Sequence, residues 1–577
     1  MREKYNYQQI ISYRASTQPH DIAYVFLDKR GEEADRVTYE QLDQRIQVLA
    51  AQLQVNSKVQ DRVLIILENN IDYIVAFFAC IYTNTVAVTM YAPRNQAQLE
   101  RMIGISSDCG AVCAITSSSV VQKCKWDVSS LEELQHLHFI AVDETDSTSI
   151  PAWKKPQING NDLALLQYTS GSTSSPKGVM VTHDNLMTQG EYLRIGFNLS
   201  KEDISVSWLP LFHDMGLIIG VLQSCYLGFT TYLMEPISFI RKPAIWLQTV
   251  SKYGGTWSAA PNFAFDLCVE TYCASDYQSV DLSNWKGIVN AAEPVRKSTI
   301  ENFSKCFAHC GFRLEYFNPS YGMAEATLDI SCGEVEKAPI FKYLDLNKFQ
   351  KNQLEFVTED SEVKKTEVVA CGKVHLDTEV VIVNLDGELC NEDEIGELWV
   401  RGKITASGYW DNAQATKEIF SAYLENGEGP YLRTGDLGFV YEGRIYITGR
   451  SKDVIIIHGK NHAPQDIEFT VESVSGVKNN FVAAFSLEID DEERLIVFSQ
   501  LTEENASTDL IARVIFNRVA RSREVNIFEI VFLPKGILPK TTSGKIQRNA
   551  CKEIYRKQKS SFNIVRNPLY TKTQKVS

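Results

Sequence analysis

Short apolar runs recur along the first three quarters of the chain. They alternate with segments whose apolar positions repeat every three or four residues. Residues 62–67, 86–89, 111–116, 138–142, 163–168 and 179–182 read as buried strands, and 71–82 reads as a helix. This alternation predicts parallel sheets covered by helices, with ligands held at loops beyond the carboxyl ends of the strands. After Cys371 the pattern shortens. Residues 380–384, 397–401 and 443–448 read as strands separated by Asp-Gly, Gly-Glu and Glu-Gly turns, which predicts a β-rich subdomain. From Ser451 another mixed pattern runs to a Lys-rich tail, with 566–577 expected to fray. The expected fold class is α/β: a large N-terminal domain of helix-covered β-sheets plus a β-rich subdomain, followed by a small α+β C-terminal domain.

Two stretches test this reading. Residues 73–92 and 215–234 are each twenty residues without a charge, long enough to span a bilayer. Thr83, Asn84, Thr85 and Thr89 interrupt the first, and Gly216, Gly220, Gln223, Ser224 and Gly228 the second. Both therefore read as helix, turn and buried strand, and no membrane span is expected. The 577 residues carry a net charge of −14, which disfavours nucleic acid as a partner. Thirteen scattered cysteines form no Cys-x-x-Cys pair and fit a reducing, cytoplasmic compartment. Cys306, His309 and Cys310 are too few for a zinc site and share the face of a buried helix. No signal peptide is read at residues 1–10.

The strand at 163–168 runs into Thr169-Ser170-Gly171-Ser172-Thr173-Ser174-Ser175-Pro176-Lys177-Gly178, and strand character resumes at once. Hydroxyls, exposed backbone N–H groups and an ammonium suit a polyphosphate. The order Lys-Gly rules out a Walker loop.

Residues 167–178 resemble the phosphate loop of the adenylate-forming superfamily, which includes acyl-CoA synthetases, nonribosomal adenylation domains and luciferases. Further segments match in order: 208–216, 290–294, 321–327, 431–436, 447–450 and 539–545. The resemblance implies attack by a carboxylate on the α-phosphate of ATP, giving an acyl-adenylate and pyrophosphate. By the same resemblance Lys177 and the loop residues Thr169, Ser170, Gly171, Ser172 and Thr173 hold phosphates. Glu325 holds Mg²⁺, with Thr169 as a possible helper. Tyr321 stacks on adenine, flanked by Gly322 and Met323, and Ala291, Ala292 and Asn318 also contact the nucleotide. Asp436 takes the ribose hydroxyls and Arg450 adds a ribose or phosphate contact. Lys545 is the mobile catalytic lysine. Residues 1–450 would be the N-terminal domain, with a β-rich subdomain at about 371–450. Residues 453–577 would be a mobile C-terminal domain that turns on a hinge at 451–452, pivoting on Lys452.

Finer details resemble fatty acyl-AMP ligases: the phosphate loop itself, Phe212-His213-Asp214-Met215-Gly216 and Gly459–Glu468. Between Thr327 and Cys371 lie 43 residues, where such ligases carry an insertion, here about 333–370, that disfavours coenzyme A. The implied substrate is a fatty acid. The implied partner is the phosphopantetheine thiol of an acyl carrier protein of polyketide or nonribosomal peptide type. The alternative is a medium- or long-chain acyl-CoA synthetase. His213 is singled out on a substrate-side loop and given a catalytic role. Trp208, Phe212, Ile218, Ile219, Leu222 and Phe263 are candidates for an apolar acyl pocket. Asp214 stands one position away from the aspartate that meets an amino acid's ammonium, which disfavours amino acids. Residues 534–560 hold Lys535, Lys540, Lys545, Arg548, Lys552, Arg556, Lys557 and Lys559 against Glu553 alone, a basic segment expected to steer an acidic carrier protein.

Overall fold

The computed structural model describes residues 6–124, 132–144, 151–169, 176–489, 492–503, 506–541 and 544–570. The mixed α/β class is as expected. Two large sheets organise the first part. The first has the strand order His138–Ala141, Cys113–Thr116, Arg62–Leu67, Val86–Tyr91, Leu163–Tyr168 and Gly178–Thr182. Its strands run parallel until the last pair, Leu163–Tyr168 with Gly178–Thr182, which is antiparallel. The second has the order Phe317–Pro319, Gly287–Asn290, Trp257–Ala260, Ile204–Ser207, Thr230–Met234, Ile22–Leu27 and Glu33–Thr38, again parallel except for its final pair.

The uncharged stretch at 73–92 falls mostly in the core between these sheets. Asn70 caps the helix Ile71–Thr83 by accepting from the Tyr73 N–H at 3.2 Å. Asn84 ends it in the left-handed conformation, φ 54°, and the chain re-enters as strand Val86–Tyr91. Thirteen helical residues reach about 20 Å, short of a ~30 Å hydrocarbon layer. The stretch at 215–234 breaks in the same way. Asp214–Leu217, a π-turn at Ile218–Leu222 and Gln223–Leu227 make one bent helix that stops at Gly228, φ 92°. A Cβ there would lie 2.0 Å from Arg14 Nη1, so glycine serves both the turn and the close approach. Among the described residues no helix is long and apolar enough to cross a membrane.

The strands Glu379–Val383, Gly396–Arg401, Leu432–Tyr441 and Arg444–Arg450 form an antiparallel sheet. Before it, Phe356–Val357, Phe341–Asp345 and Lys365–Val369 make a small antiparallel sheet of their own. Residues from Ile455 onward build separate apolar clusters around the sheet Val477–Ile489, Glu492–Leu501, Ile527–Phe532 and Asn563–Arg566.

This last part docks on the rest through polar contacts. Arg296 pairs with Glu472 at 3.2 Å, and Asn479 Nδ2 donates to Glu270 Oε1 at 2.7 Å. The small three-stranded unit adds more. Lys364 pairs with Glu524 at 2.7 Å, Gln350 Nε2 donates to the Arg523 carbonyl at 3.1 Å, and Asn461 N–H donates to the Gln350 carbonyl at 2.9 Å.

Candidate active site

Of the expected nucleotide residues, Thr169, Ala291 and Ala292 follow strands of the two large sheets, whereas Asp436 and Arg450 lie in the antiparallel sheet. The Thr169 N–H donates to the Lys177 carbonyl at 3.2 Å, which closes the base of the phosphate loop. Ser170, Gly171, Ser172 and Thr173 lie outside the described residues. Lys177 Nζ stands 4.9 Å over the ring of Tyr409, whose hydroxyl donates to Glu325 Oε1 at 2.7 Å. Backbone pairing of Gly408 with Met180 and of Trp410 with Gly178 fixes that tyrosine against the loop. Tyr409 thus joins Lys177 to Glu325, a role that sequence reasoning missed. Its one signal is an aromatic pair after glycine in a polar loop.

A second group forms around Asp436, which is buried. Tyr321 Oη donates to Asp436 Oδ2 at 2.7 Å, and Arg450 Nε lies 3.0 Å from Oδ1. Burial and the Asp436 charge hold the Tyr321 phenol protonated, and the same charge raises the pKa of Arg450. Gly322 lies beside Tyr321 in the short strand Tyr321–Gly322, with Met323 next in sequence. Ala291 and Ala292 follow strand Gly287–Asn290, and Ala292 takes φ 71°. Asn318 is fully buried, its Nδ2 3.3 Å from the Glu334 carbonyl and its Oδ1 without a partner among the described residues.

Lys545 arrives from the C-terminal part on a tight loop. The Thr541 N–H donates to the Lys545 carbonyl at 2.7 Å, and Gly544 turns the chain with φ 89°. Burial lowers the Lys545 pKa and nearby Arg450 lowers it further, while Asp214, Asp436 and Glu293 pull it back up. Lys545 is therefore near enough to all four groups to feel their charges. Burial alone would raise the Asp214 pKa, yet His213, 2.6 Å away, and Lys545 hold it below the usual range. Glu293 goes the other way: burial raises it despite the Phe263 N–H donated to its carboxylate. Glu293 belongs to the 290–294 segment expected at the nucleotide, where the motif reading gives it no role of its own. Lys452 is exposed in a turn tied by the Ser451 N–H to the Gly435 carbonyl at 2.9 Å.

Three expectations can be placed in more detail. A narrow cavity is lined by Leu193, Phe197, Ile219, Gln223, Trp257 and Val289 among others. Of the six acyl-pocket candidates, Ile219 lines it. Trp208 instead stacks on Phe239 with centroids 4.0 Å apart. Of the eight basic residues at 534–560, Lys545 faces the cleft and Arg548 pairs with Glu468 and Asp453 at 2.7 and 3.1 Å. Lys540 lies 3.9 Å over the Phe481 ring, which leaves a smaller exposed basic face. The helix Lys297–Phe307 ends before His309, which lies on a following 3₁₀ turn. No metal-binding group of three or more His, Cys, Asp or Glu side chains is found among the described residues.

The sequence pattern described as AMP-binding enzyme matches residues 11–410, more than half of the chain. The chain belongs to the AMP-binding enzyme family. A second pattern, described as Disco-interacting protein 2-like, AMP domain, matches residues 452–564 of this AMP-binding enzyme. The medium-chain-fatty-acid–[acyl-carrier-protein] ligase JamA of Moorena producens is 39% identical over 94% of each chain. The fatty acyl-adenylate ligase of Legionella pneumophila, solved with acyl adenylate and pyrophosphate, is 34% identical over 98% of each chain, with a TM-score of 0.75. A structure from a study of fatty acyl-adenylate ligases of E. coli and L. pneumophila reaches a TM-score of 0.88 at 28% identity, covering 97% of this chain and 98% of its own. The resemblance to fatty acyl-AMP ligases read from the motifs is borne out.

Proposed function

We propose that this AMP-binding enzyme activates a fatty acid with ATP, releasing pyrophosphate, and passes the acyl group to the phosphopantetheine thiol of an acyl carrier protein. The observation that carries the reading is the buried Asp436 held by Tyr321 at 2.7 Å and Arg450 at 3.0 Å, with Lys545 near enough to feel its charge. The match to an acyl-carrier-protein ligase over 94% of the chain supports the acceptor.

The chemistry follows from these groups. The fatty carboxylate is ionised at neutral pH and needs no general base. One of its oxygens attacks the α-phosphorus, the bond to the β-phosphate oxygen breaks, and pyrophosphate leaves with its charge. Bringing two anions together is the main barrier, so fixed cations do most of the work. Lys545 reaches the α-phosphate and the carboxylate, and Lys177 holds the departing phosphates. Asp436, held by Tyr321 and Arg450, accepts from the ribose hydroxyls. His213 and Asp214 form a fixed pair on the substrate side of the cleft. Glu325 is a single carboxylate fixed by Tyr409, which fits a Mg²⁺ that takes the rest of its oxygens from phosphates and water. When bound, that ion would neutralise phosphate charge. In the second step the thiol sulfur attacks the acyl carbon, AMP leaves, and the thiol proton passes to solvent. Lys452 is the pivot on which the C-terminal part turns between the two steps, and the contacts of Gln350 and Lys364 oppose that turn. A cytoplasmic setting fits the twelve described cysteines, all free thiols.

A panel of fatty acids with ATP, analysed for acyl-AMP with and without coenzyme A, tests this. Accumulating acyl-AMP that a carrier protein discharges is expected. Rapid release of a coenzyme A thioester would favour the synthetase alternative, and no fatty-acid-dependent pyrophosphate exchange would refute the reading.

A further inference from the structure

Three buried acceptors gather where the helix His183–Gly196, the bent helix 214–227 and the strand Asp329–Ser331 meet. Asp329 is 2% exposed, and its one recorded side-chain contact is the weak donor Cys332 Sγ, 4.0 Å from Oδ2. No lysine or arginine offsets it: burial and the Asp214 charge both raise its pKa well above the carboxylate range. Gln189 donates through Nε2 to the Asp329 backbone carbonyl at 3.4 Å, and its buried Oε1 has no partner among the described residues. Gln223 donates to the Gly190 carbonyl at 3.2 Å, and its buried Oε1 is equally without a partner. Buried polar groups are normally satisfied, so the two unfilled amide oxygens beside this buried carboxyl call for a donor.

Its position ties the cluster to the substrate. Asp329 pairs across the strands with Gly322, beside the Tyr321–Asp436 contact. Asp329 feels the charge of Asp214, which Lys545 feels as well. At the other end Gln223 lines the apolar cavity with Ile219 and Trp257. The cluster thus stands between the strand Tyr321–Gly322 and the cavity that Gln223 lines.

We propose that Asp329, with Gln189 and Gln223, selects an acyl substrate that bears a hydrogen-bond donor, a hydroxyl or an amine, close to its carboxyl end. The unsubstituted acid of the same length is disfavoured because it leaves the acceptors unfilled. This inference rests on the adenylation reading above.

The test measures pyrophosphate exchange by the full chain with octanoate, 3-hydroxyoctanoate and 3-aminooctanoate, and repeats it with Asp329→Val and Asp329→Asn. One substituted acid should exceed octanoate by about 10-fold or more in kcat/KM. Asp329→Val should erase that preference while keeping exchange with octanoate. Asp329→Asn should keep a preference for hydroxyl and lose one for amine. Octanoate used as well as both substituted acids by the unaltered enzyme, or a preference unchanged in Asp329→Val, overturns the proposal. If Asp329→Val does not fold, the ranking by the unaltered enzyme decides alone. No exchange with any acid refutes adenylation itself, and the selection falls with it.

Discussion

Removing the contacts between the three-stranded unit and the C-terminal part should release that part toward thioester formation. The perturbation is the pair Gln350→Ala and Lys364→Ala. Gln350 is 1% exposed, and its Nε2 satisfies the Arg523 carbonyl at 3.1 Å. Losing a buried hydrogen bond and leaving its acceptor unpaired costs about 1–3 kcal/mol. Lys364 and Glu524 lie 2.7 Å apart with side chains 48% and 23% exposed, so that pair adds only about 0.5 kcal/mol after screening. The docked arrangement therefore weakens by about 1.5–3.5 kcal/mol, roughly a 10- to 300-fold shift in its equilibrium with other arrangements. The assay follows coenzyme A thioester formation beside pyrophosphate exchange. Thioester formation should rise about 10-fold or more while exchange changes by less than about threefold. Exchange left intact with no gain in thioester would refute the reasoning, because the contacts would then not oppose the turn.

Two further predictions bear on the cleft and on pH. Lys545→Ala should lose adenylation by about 2–4 kcal/mol of barrier, roughly 30- to 1,000-fold, yet still discharge a preformed acyl-adenylate; equal loss of both half-reactions in single-turnover assays would contradict its role. Glu334 has a pKa of about 2: burial would raise it, but hydrogen bonds from Lys337 and Arg444, with the charges of Arg444 and Lys373, pull it below the ordinary 4.5. Its folded-state pKa is depressed, so its stabilisation is present above about pH 4.5 and fades as pH falls toward 2. Denaturant titrations of Glu334→Gln should show a deficit of about 1–3 kcal/mol at pH 7 that shrinks toward pH 2; a deficit independent of pH would count against it.

What was legible in the sequence, and what was not, divides along a physical line. The strands on either side of Thr169–Gly178 could be read because their apolar runs and the Pro-Lys-Gly ending are local patterns. The same holds for the Ser-Gly-Lys loop of Lys545 and the Thr-Gly-Asp of Asp436. Tyr409 could not be read, because its place is set by pairing with Gly178 and Met180 more than two hundred residues earlier. Nor could the sequence tell that Arg548 turns inward to Glu468 while Arg556 stays exposed, since both look alike in a basic run. Asp329 is the sharpest case. Leu328-Asp329-Ile330 alternates apolar and polar positions, a pattern that assigns the aspartate to a solvent face. In the fold the strand Asp329–Ser331 is buried on both faces, so the alternation places the carboxylate in the interior. A polar residue that periodicity sends outward and topology holds inside has lost its solvation without gaining a cation. That conflict between local pattern and global fold is what the proposed substrate selection would account for.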